Sequence, residues 1–152
     1  NEVIGNDRGV RLNRLSSNNV IRENQIDESL QYGVYIYDEA SGNQILANQM
    51  ADNETAVYLR SDFNLVSQNR ISNSPHGIYL TGSTSGNQIV ENDLASNAVA
   101  IYLKTDSDDF VLGNLFNDNQ QNIQIADTWR LPVKIRPANI SMNPGTTEPE
   151  PN

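Results

Sequence analysis

The chain has 152 residues, 37% hydrophobic and 19% charged, with no Cys, and 19 Asp and Glu outweigh 10 Lys and Arg to give a formal net charge of -9. This composition fits one domain held by burial and hydrogen bonds, without disulfides or Cys-ligated zinc, and it argues against nucleic acid as a partner. Asn accounts for 22 residues, which argues against a helical bundle because the Asn side chain competes for backbone hydrogen bonds. No apolar run reaches the roughly 18 residues of a membrane-spanning helix.

A four-residue phrase with aliphatic residues at its second and fourth positions recurs along the chain. Its copies occupy Gly9–Leu12, Gly33–Ile36, Ala56–Leu59, Gly77–Leu80, Ala100–Leu103 and Asn122–Ile125. Their starting positions differ by 24, 23, 21, 23 and 22 residues. A fixed period of this length is the sequence signature of a solenoid.

Two further phrases keep the same period. One, Asn-x-apolar, begins at Asn1, Asn24, Asn48, Asn69, Asn92 and Asn114. The other begins five residues earlier in the repeat, at Asn19, Asn43, Asn64, Asn87 and Asp109. Each period thus holds three segments too short for helices, which predicts an all-β, right-handed parallel β-helix with three short strands per coil, about 22 residues per coil and about five to six coils. A propeller fits worse because its repeat is near 40 residues.

The repeats divide the chain into three parts. The predicted coils occupy residues 1–127, and because no cap covers the first coil, we expect the C-terminal part of a longer β-helix whose upstream coils are missing here. Residues 128–142 begin near Trp129 and alternate outside the repeat register, which predicts a terminal capping segment. Residues 143–152 are rich in Pro, Thr and Glu and predict a disordered tail or linker.

Strand alternation assigns each column of the repeat to a side of the sheet. The aliphatic columns are predicted to face inward, and the two Asn columns to form stacked amide ladders at coil corners, where Asn also tolerates a left-handed backbone. A column of small residues is predicted to face outward and to form a shallow trough; its members are Gly9, Gly33, Ala56, Gly77 and Ala100.

Beside that column, the outward positions are aromatic or cationic and suit a polysaccharide. Sugar rings stack on aromatic faces, and Arg or Lys would bind carboxylates of an acidic glycan. The predicted substrate-binding residues are Arg11, Tyr35, Tyr37, Tyr58, Arg60, Tyr79, Tyr102 and Lys104. The alternative is that the tyrosines only stabilise the sheet by packing.

Four of the residues in this region have the side chains needed for proton abstraction next to a uronate carboxylate. Arg60 and Lys104 would neutralise the carboxylate, while Tyr79 and His76 would act as acid or base. A Tyr becomes an effective base only if a neighbouring cation lowers its pKa from near 10. His76 is predicted to lie in a turn, and its alternative role is that of an ordinary surface residue.

The sequence has no Cys and one His, and no cofactor is predicted from it. Calcium is the one metal ion considered. An acidic turn at Asp106, Asp108 and Asp109 offers carboxylate oxygens of the kind that calcium prefers. The alternative is that these carboxylates are simply solvated.

The repeated phrases from Ser41 to Met50 and from Ser85 to Leu94 resemble the parallel β-helix repeats of the carbohydrate-binding and sugar-hydrolase group. That group includes the periplasmic copper-maturation β-helix proteins and the mannuronan C5-epimerases, and the resemblance extends over about residues 1–127. It implies an extracellular or periplasmic module that binds an acidic polysaccharide such as alginate or pectin. In the full-length protein it implies an epimerase or lyase.

The resemblance to the epimerases is incomplete at the catalytic motif. Their Asp-Pro-His sequence is absent, and the single His follows Ser74 and Pro75. The alternatives are therefore a non-catalytic structural or adhesive β-helix, or a periplasmic accessory protein for metal-site assembly. The lack of Cys and the single His give the metal-site role poor support.

Overall fold

The computed structural model describes residues 1–105 and 108–126, together with the backbone of two short strands at Lys134–Ile135 and Ile140–Ser141. All regular elements in these residues are β-strands. The described part of the chain holds no helix with the length and apolarity needed to cross a bilayer.

The strands form three parallel sheets, which we number 1 to 3. Sheet 1 contains β1 (Glu2–Ile4), β4 (Gln25–Asp27), β7 (Gln49–Ala51), β10 (Arg70–Ser72), β13 (Asp93–Ala95), β16 (Leu115–Asn117) and β19 (Ile140–Ser141). Sheet 2 contains β2 (Arg8–Leu12), β5 (Tyr32–Tyr37), β8 (Thr55–Arg60), β11 (His76–Gly82), β14 (Val99–Thr105) and β17 (Gln121–Ile125). Sheet 3 contains β3 (Val20–Arg22), β6 (Gln44–Leu46), β9 (Leu65–Ser67), β12 (Gln88–Val90), β15 (Phe110–Leu112) and β18 (Lys134–Ile135).

The chain visits the three sheets in turn and then repeats, so that each strand pairs in parallel with its equivalent one coil later. Tyr35 pairs with Tyr58, for example, and Tyr79 pairs with Tyr102. This is a parallel β-helix with three strands per coil, which confirms the predicted fold. The proposed division of the chain at residues 127 and 142 stays a prediction, because most of residues 127–152 lie outside the described residues.

The interior is a stack of aliphatic side chains contributed by all three sheets. The two predicted inner columns of sheet 2 are confirmed, since both are fully buried where their coils are flanked on each side. Those positions are Val34, Val57, Ile78 and Ile101, and Ile36, Leu59, Leu80 and Leu103. In sheets 1 and 3, each strand from β3 to β16 contributes one buried hydrophobic residue, as in Ile26 and Ile45.

The two predicted Asn ladders lie at coil corners and are confirmed. Along one ladder, the Asn69 side-chain oxygen accepts hydrogen bonds from the Asn48 backbone nitrogen at 2.9 Å and from the Asn48 Nδ2 at 3.0 Å. Asn69 makes the same pair of bonds to Asn92, at 3.0 Å each. Because every amide both donates and accepts, these polar groups are buried at little cost.

A third ladder of the same type occupies the remaining corner and was not predicted. Asn97 donates from its backbone and its Nδ2 to the oxygen of Asn119, at 2.9 and 3.0 Å. The Ser29 and Ser74 backbones donate in the same way to Asn53 and Asn97. Serine at alternate coils breaks the Asn repetition, so the column is hard to recognise in the sequence.

The prediction that the ladder Asn residues themselves adopt the left-handed backbone is wrong. That backbone was predicted for the ladder that begins at Asn19, where the positive φ belongs instead to the residue before the ladder position, as at Asn18 (φ 60°) and Phe63 (φ 55°). The other ladder shows the same arrangement at Ala47 (φ 52°) and Gln68 (φ 57°). A turn residue with positive φ followed by an Asn therefore forms the corner. The residue with positive φ turns the chain from one sheet to the next, and the Asn directs its amide inward.

The column of small residues was predicted to face outward and instead faces the core. Ala56 and Ala100 are fully buried, and a Cβ placed on Gly77 would lie 2.5 Å from the Ala100 carbonyl oxygen and 3.0 Å from Leu94 Cδ2. The strands of sheet 2 bend at this column, so two successive residues, Gly77 and Ile78, both point inward. The expected trough of small residues is therefore absent from the surface.

Candidate functional site

The outer face of sheet 2 carries four half-buried tyrosines in register, which we call the tyrosine file: Tyr35, Tyr58, Tyr79 and Tyr102. The ring centroids of Tyr35 and Tyr58 lie 5.3 Å apart with edge-to-face geometry. Those of Tyr58 and Tyr79 are stacked at 5.1 Å, and those of Tyr79 and Tyr102 lie 4.7 Å apart. The file is a continuous aromatic surface, which agrees with the predicted arrangement of these four residues.

Two more tyrosines extend the file into a cluster of six. Tyr37 stacks on Tyr35 with centroids 4.2 Å apart and planes 9° apart. Tyr32 lies 4.6 Å from Tyr35 and 4.7 Å from Tyr58. Tyr32 was not predicted, because strict alternation from Tyr35 would turn it inward. The bend at Gly33 places an extra residue on the inner side and brings Tyr32 onto the outer face.

The same bend places His76 on this face. His76 is the first residue of β11 and pairs with Thr55 and Val99, so its predicted position in a turn is wrong. Its ring lies edge-on to Tyr79 at 5.5 Å and is stacked with Tyr102 at 5.9 Å. His76 and Tyr79, two of the predicted catalytic residues, are therefore in contact.

Two arginines cover the end of the cluster nearest the first coil. The Arg8 guanidinium carbon lies 6.0 Å from the Tyr32 centroid and 5.9 Å from that of Tyr35. Arg11 lies over Tyr37 at 5.1 Å and donates a hydrogen bond to its hydroxyl. These distances are those of cation–π contacts. Arg11 was predicted to bind substrate, but its guanidinium already has a partner within the protein.

The opposite end of the cluster opens into a cleft of about 430 Å³. Its lining residues are Gln31, Tyr32, Glu54, Thr55, Tyr58, His76, Tyr79 and Tyr102. The short side chain of Thr55 stands between Tyr32 and His76 in the strand register and is 5% exposed. Thr55 thus forms the floor, because its neighbours along the column carry rings and it does not. We call this space the aromatic cleft.

Burial raises the pKa of two phenols of the cleft, those of Tyr58 and Tyr79. Desolvation, reinforced by Tyr32, Tyr79 and Tyr35, raises the pKa of Tyr58 to about 12 even though Arg60 acts in the opposite direction. Desolvation and the neighbouring Tyr102 and Tyr32 also raise the pKa of Tyr79. The cation does not lower the pKa of either tyrosine below its usual value. At neutral pH both hydroxyls are therefore protonated, so they are available as hydrogen-bond donors and do not serve as bases.

The other two predicted cations lie at the far ends of the strands. Arg60 ends β8, pairs with Tyr37 in the register, and is exposed. Lys104 pairs with Thr81 and is also exposed. Within residues 1–105 and 108–126, neither side chain forms an ion pair. Both therefore present a free positive charge beside the tyrosine file, but outside the lining of the aromatic cleft.

At the last residue of the candidate calcium turn, the carboxylate is used by the fold. Asp109 is fully buried and takes the Asn position in a corner ladder, where its Oδ1 accepts from the Asn87 backbone nitrogen at 2.8 Å and from Asn87 Nδ2 at 2.9 Å. Its Oδ2 accepts from Thr84 at 3.1 Å. Asp106 lies outside the described residues, and within them no three acidic, His or Cys side chains gather as a metal site would require.

One comparison identifies the family to which these coils belong. The sequence profile of the family described as "Periplasmic copper-binding protein (NosD)" matches residues 1–64 and again residues 56–146. Neither a curated protein nor a solved structure matches the chain. The family is described as periplasmic, which agrees with the extracytoplasmic location predicted from the sequence. Since the two matches extend over most of the 152 residues, the chain belongs to the NosD family of periplasmic β-helix proteins.

Proposed function

We propose that this chain is the binding module of a periplasmic accessory protein and that it holds an extended acidic glycan along the tyrosine file. The observation that carries the proposal is the unbroken row of half-buried rings with Arg60 and Lys104 free beside it. Rings spaced by one coil, about 4.8 Å, offer a repeating surface to a repeating polymer. A continuous row of aromatic rings that stays partly exposed to water is typical of a binding site.

The charges beside the file favour a polymer that carries carboxylates. Arg60 and Lys104 stand at equivalent positions two coils apart, which separates their attachment points by about 10 Å along the axis. An Arg guanidinium binds a carboxylate with two parallel hydrogen bonds, and Lys binds it as a point charge. A linear oligouronate lying along the axis would meet both cations while its rings stack on the tyrosines.

Copper is the ligand that the family description names, and the residues of this chain do not fit it. Proteins hold copper with Cys, Met and His side chains. The sequence has no Cys, one His and two Met. Met50 is 1% exposed within the core, Met142 lies outside the described residues, and His76 packs against tyrosines. The accessory role proposed here therefore does not depend on copper ligands from the described coils.

Catalysis on the same glycan is a second candidate, and the contact between His76 and Tyr79 is the observation that favours it. With a raised pKa, Tyr79 would serve as the proton donor and His76 as the base. Arg60 and Lys104 would neutralise the uronate carboxylate. An assay for unsaturated ends and for C5 inversion on alginate and pectin, with His76→Gln as the matched variant, tests this role. Product that His76→Gln forms at the wild-type rate would contradict it.

Binding is tested with an array of oligouronates and neutral oligosaccharides of matched length. We expect the wild-type chain to bind the acidic set, and Tyr58→Ala combined with Tyr79→Ala to abolish that binding. Arg60→Gln combined with Lys104→Gln should remove the preference for acidic over neutral sugars. Phe63→Ala serves as the control, since Phe63 is 65% exposed and lies outside the file. Unchanged binding by the double tyrosine variant, with its fold intact by circular dichroism, would contradict the proposal.

A further inference from the structure

The two ends of the tyrosine cluster differ in what covers their rings. At one end, Arg8 stands over Tyr32 and Tyr35, and Arg11 over Tyr37. At the other end, no Arg or Lys of the described residues makes a cation–π contact with Tyr58, Tyr79 or Tyr102, and Tyr32, which Arg8 covers, marks the boundary between the two ends. Within the described residues, the protein thus covers part of the aromatic surface with its own guanidinium groups and leaves the three other rings of the cleft without such a contact.

The aromatic cleft is walled by rings of the cluster. Rings of Tyr32, Tyr58 and Tyr79 stand around the 5%-exposed side chain of Thr55, and Tyr102 closes the side nearest the last coils. The neighbouring planes are tilted by 47° between Tyr32 and Tyr58 and by 59° between Tyr79 and Tyr102. Tyr58 and Tyr79 between them are stacked, with planes 23° apart, so the row of rings changes direction at each end of this pair and forms an angled wall beside the small floor.

The charge at the rim of the cleft is negative. Glu54 and Gln31 line the rim. The Gln31 side chain bonds to Arg8 and to Asp7, whose opposite charges pair with each other at 3.4 Å, so the remaining charge at the rim is that of Glu54. The Glu54 backbone is fixed by hydrogen bonds to Ser29 and His76, at 3.0 and 3.3 Å. Its carboxylate forms no ion pair within residues 1–105 and 108–126. A carboxylate beside several neutral aromatic rings attracts a cation by charge and by the ring quadrupoles together.

We propose that the aromatic cleft binds a compact organic cation, of the alkylammonium or guanidinium type, in the way that Arg8 occupies the other end of the cluster. The site is separate from the glycan surface in its charges, because Glu54 would select the cation and Arg60 with Lys104 would select the uronates. The ligand group must be small and weakly hydrated, since a volume of about 430 Å³ with apolar walls favours cations that lose water easily.

The test compares choline with 3,3-dimethylbutan-1-ol, its neutral isostere, by titration followed through the tyrosine ring signals in NMR. We expect choline to shift the signals of Tyr58 and Tyr79 and to bind at least about tenfold more tightly than the isostere. Glu54→Gln should weaken choline binding about tenfold. Glu91→Gln, which removes an exposed carboxylate at the corner between β12 and β13, should leave it unchanged. Tyr58→Leu keeps an apolar side chain without the π face and should also weaken choline binding.

Two results would overturn the cation site: equal binding of choline and its neutral isostere, or wild-type choline affinity in Glu54→Gln. The same variants test the glycan proposal independently. Glu54→Gln should leave oligouronate binding unchanged, and Arg60→Gln combined with Lys104→Gln should leave choline binding unchanged. If choline binds as expected while oligouronates do not, the cation site holds and the glycan surface is wrong.

Discussion

The β-helix carries two kinds of side-chain stack, amide ladders inside its corners and a tyrosine cluster on one outer face, and they differ in how fully their members are satisfied. In the ladders, Asn69 bonds to both Asn48 and Asn92 and also to the Ile45 carbonyl oxygen at 2.9 Å. In the cluster, each ring contacts its neighbours but stays partly exposed. A stack whose polar groups are all hydrogen-bonded and buried holds the fold, whereas a stack that stays partly exposed remains accessible to a ligand.

Removing one rung of a ladder should have the largest effect on stability. Asn69→Ala leaves two donors of Asn48 and the Ile45 carbonyl without their buried partner. We expect the free energy of unfolding to fall by about 3 kcal/mol, measured from the urea midpoint. Asn117→Ala, at an exposed position of β16, should change it by less than about 0.5 kcal/mol. Equal losses in the two variants would contradict the structural role of the ladder.

The inward column of small residues should be the next most sensitive. A methyl group at Gly77 would stand 2.5 Å from the Ala100 carbonyl oxygen, so Gly77→Ala is expected to cost about 2 kcal/mol by overpacking. Thr81→Val alters an outward position of the same strand and serves as the control. If Gly77→Ala left the free energy of unfolding unchanged, a methyl group would fit beside Ala100 and Leu94. That result would contradict the inward direction of this column and the bend that brings Tyr32 to the outer face.

Shortening the central ring of the cluster should cost less. Tyr58 packs against Tyr32, Tyr35 and Tyr79, and an exposed aromatic contact of this kind contributes about 1 kcal/mol. We therefore expect Tyr58→Ala to reduce the free energy of unfolding by about 1 to 1.5 kcal/mol, well below the loss for Asn69→Ala. A loss equal to that of the ladder variant would make the tyrosine cluster a structural element like the ladders and would remove the contrast between them.

The smallest effect concerns high pH. The Tyr58 pKa in the folded state is about 12, above the value of 10.0 for a free phenol, so folding favours its protonated form. The contribution of the protonated Tyr58 hydroxyl to the free energy of unfolding is present in full below pH 10 and is lost as the pH rises from about 10 to about 12. The urea midpoint of the wild-type chain should therefore fall more steeply over this interval than that of Tyr58→Phe. Identical slopes would show that burial of the Tyr58 hydroxyl does not affect its titration.

The sequence was sufficient to predict the coils and two of the ladders because those features repeat with little variation. Val34, Val57 and Ile78 recur at one position, and Asn48 and Asn69 at another, so a single alternation rule places them. The third ladder was missed since Ser29 and Ser74 interrupt it. A polar residue following a turn position in each coil is the signal that would have found it.

The site was only partly predictable because its key feature is a departure from alternation. Strict alternation along the strand would place Gly33 on the outer face and Tyr32 on the inner face. The bend in sheet 2 reverses both assignments. His76 was predicted to lie in a turn because it follows Pro75, whereas it is the first residue of β11. Pairing of the arginines was also beyond sequence reasoning, since the contacts of Arg8 and Arg11 join residues 24 to 27 positions apart across coils.

The most direct test of the contrast between the two stacks is a titration of the chain, labelled with ¹³C in its tyrosine rings, against an oligouronate. We predict that the ring signals of Tyr58, Tyr79 and Tyr102 shift together and saturate, while those of Tyr37, which Arg11 covers, shift little. Ring signals that stay unchanged at saturating oligouronate would contradict the account, because the outer stack would then serve the fold alone, as the inner ladders do.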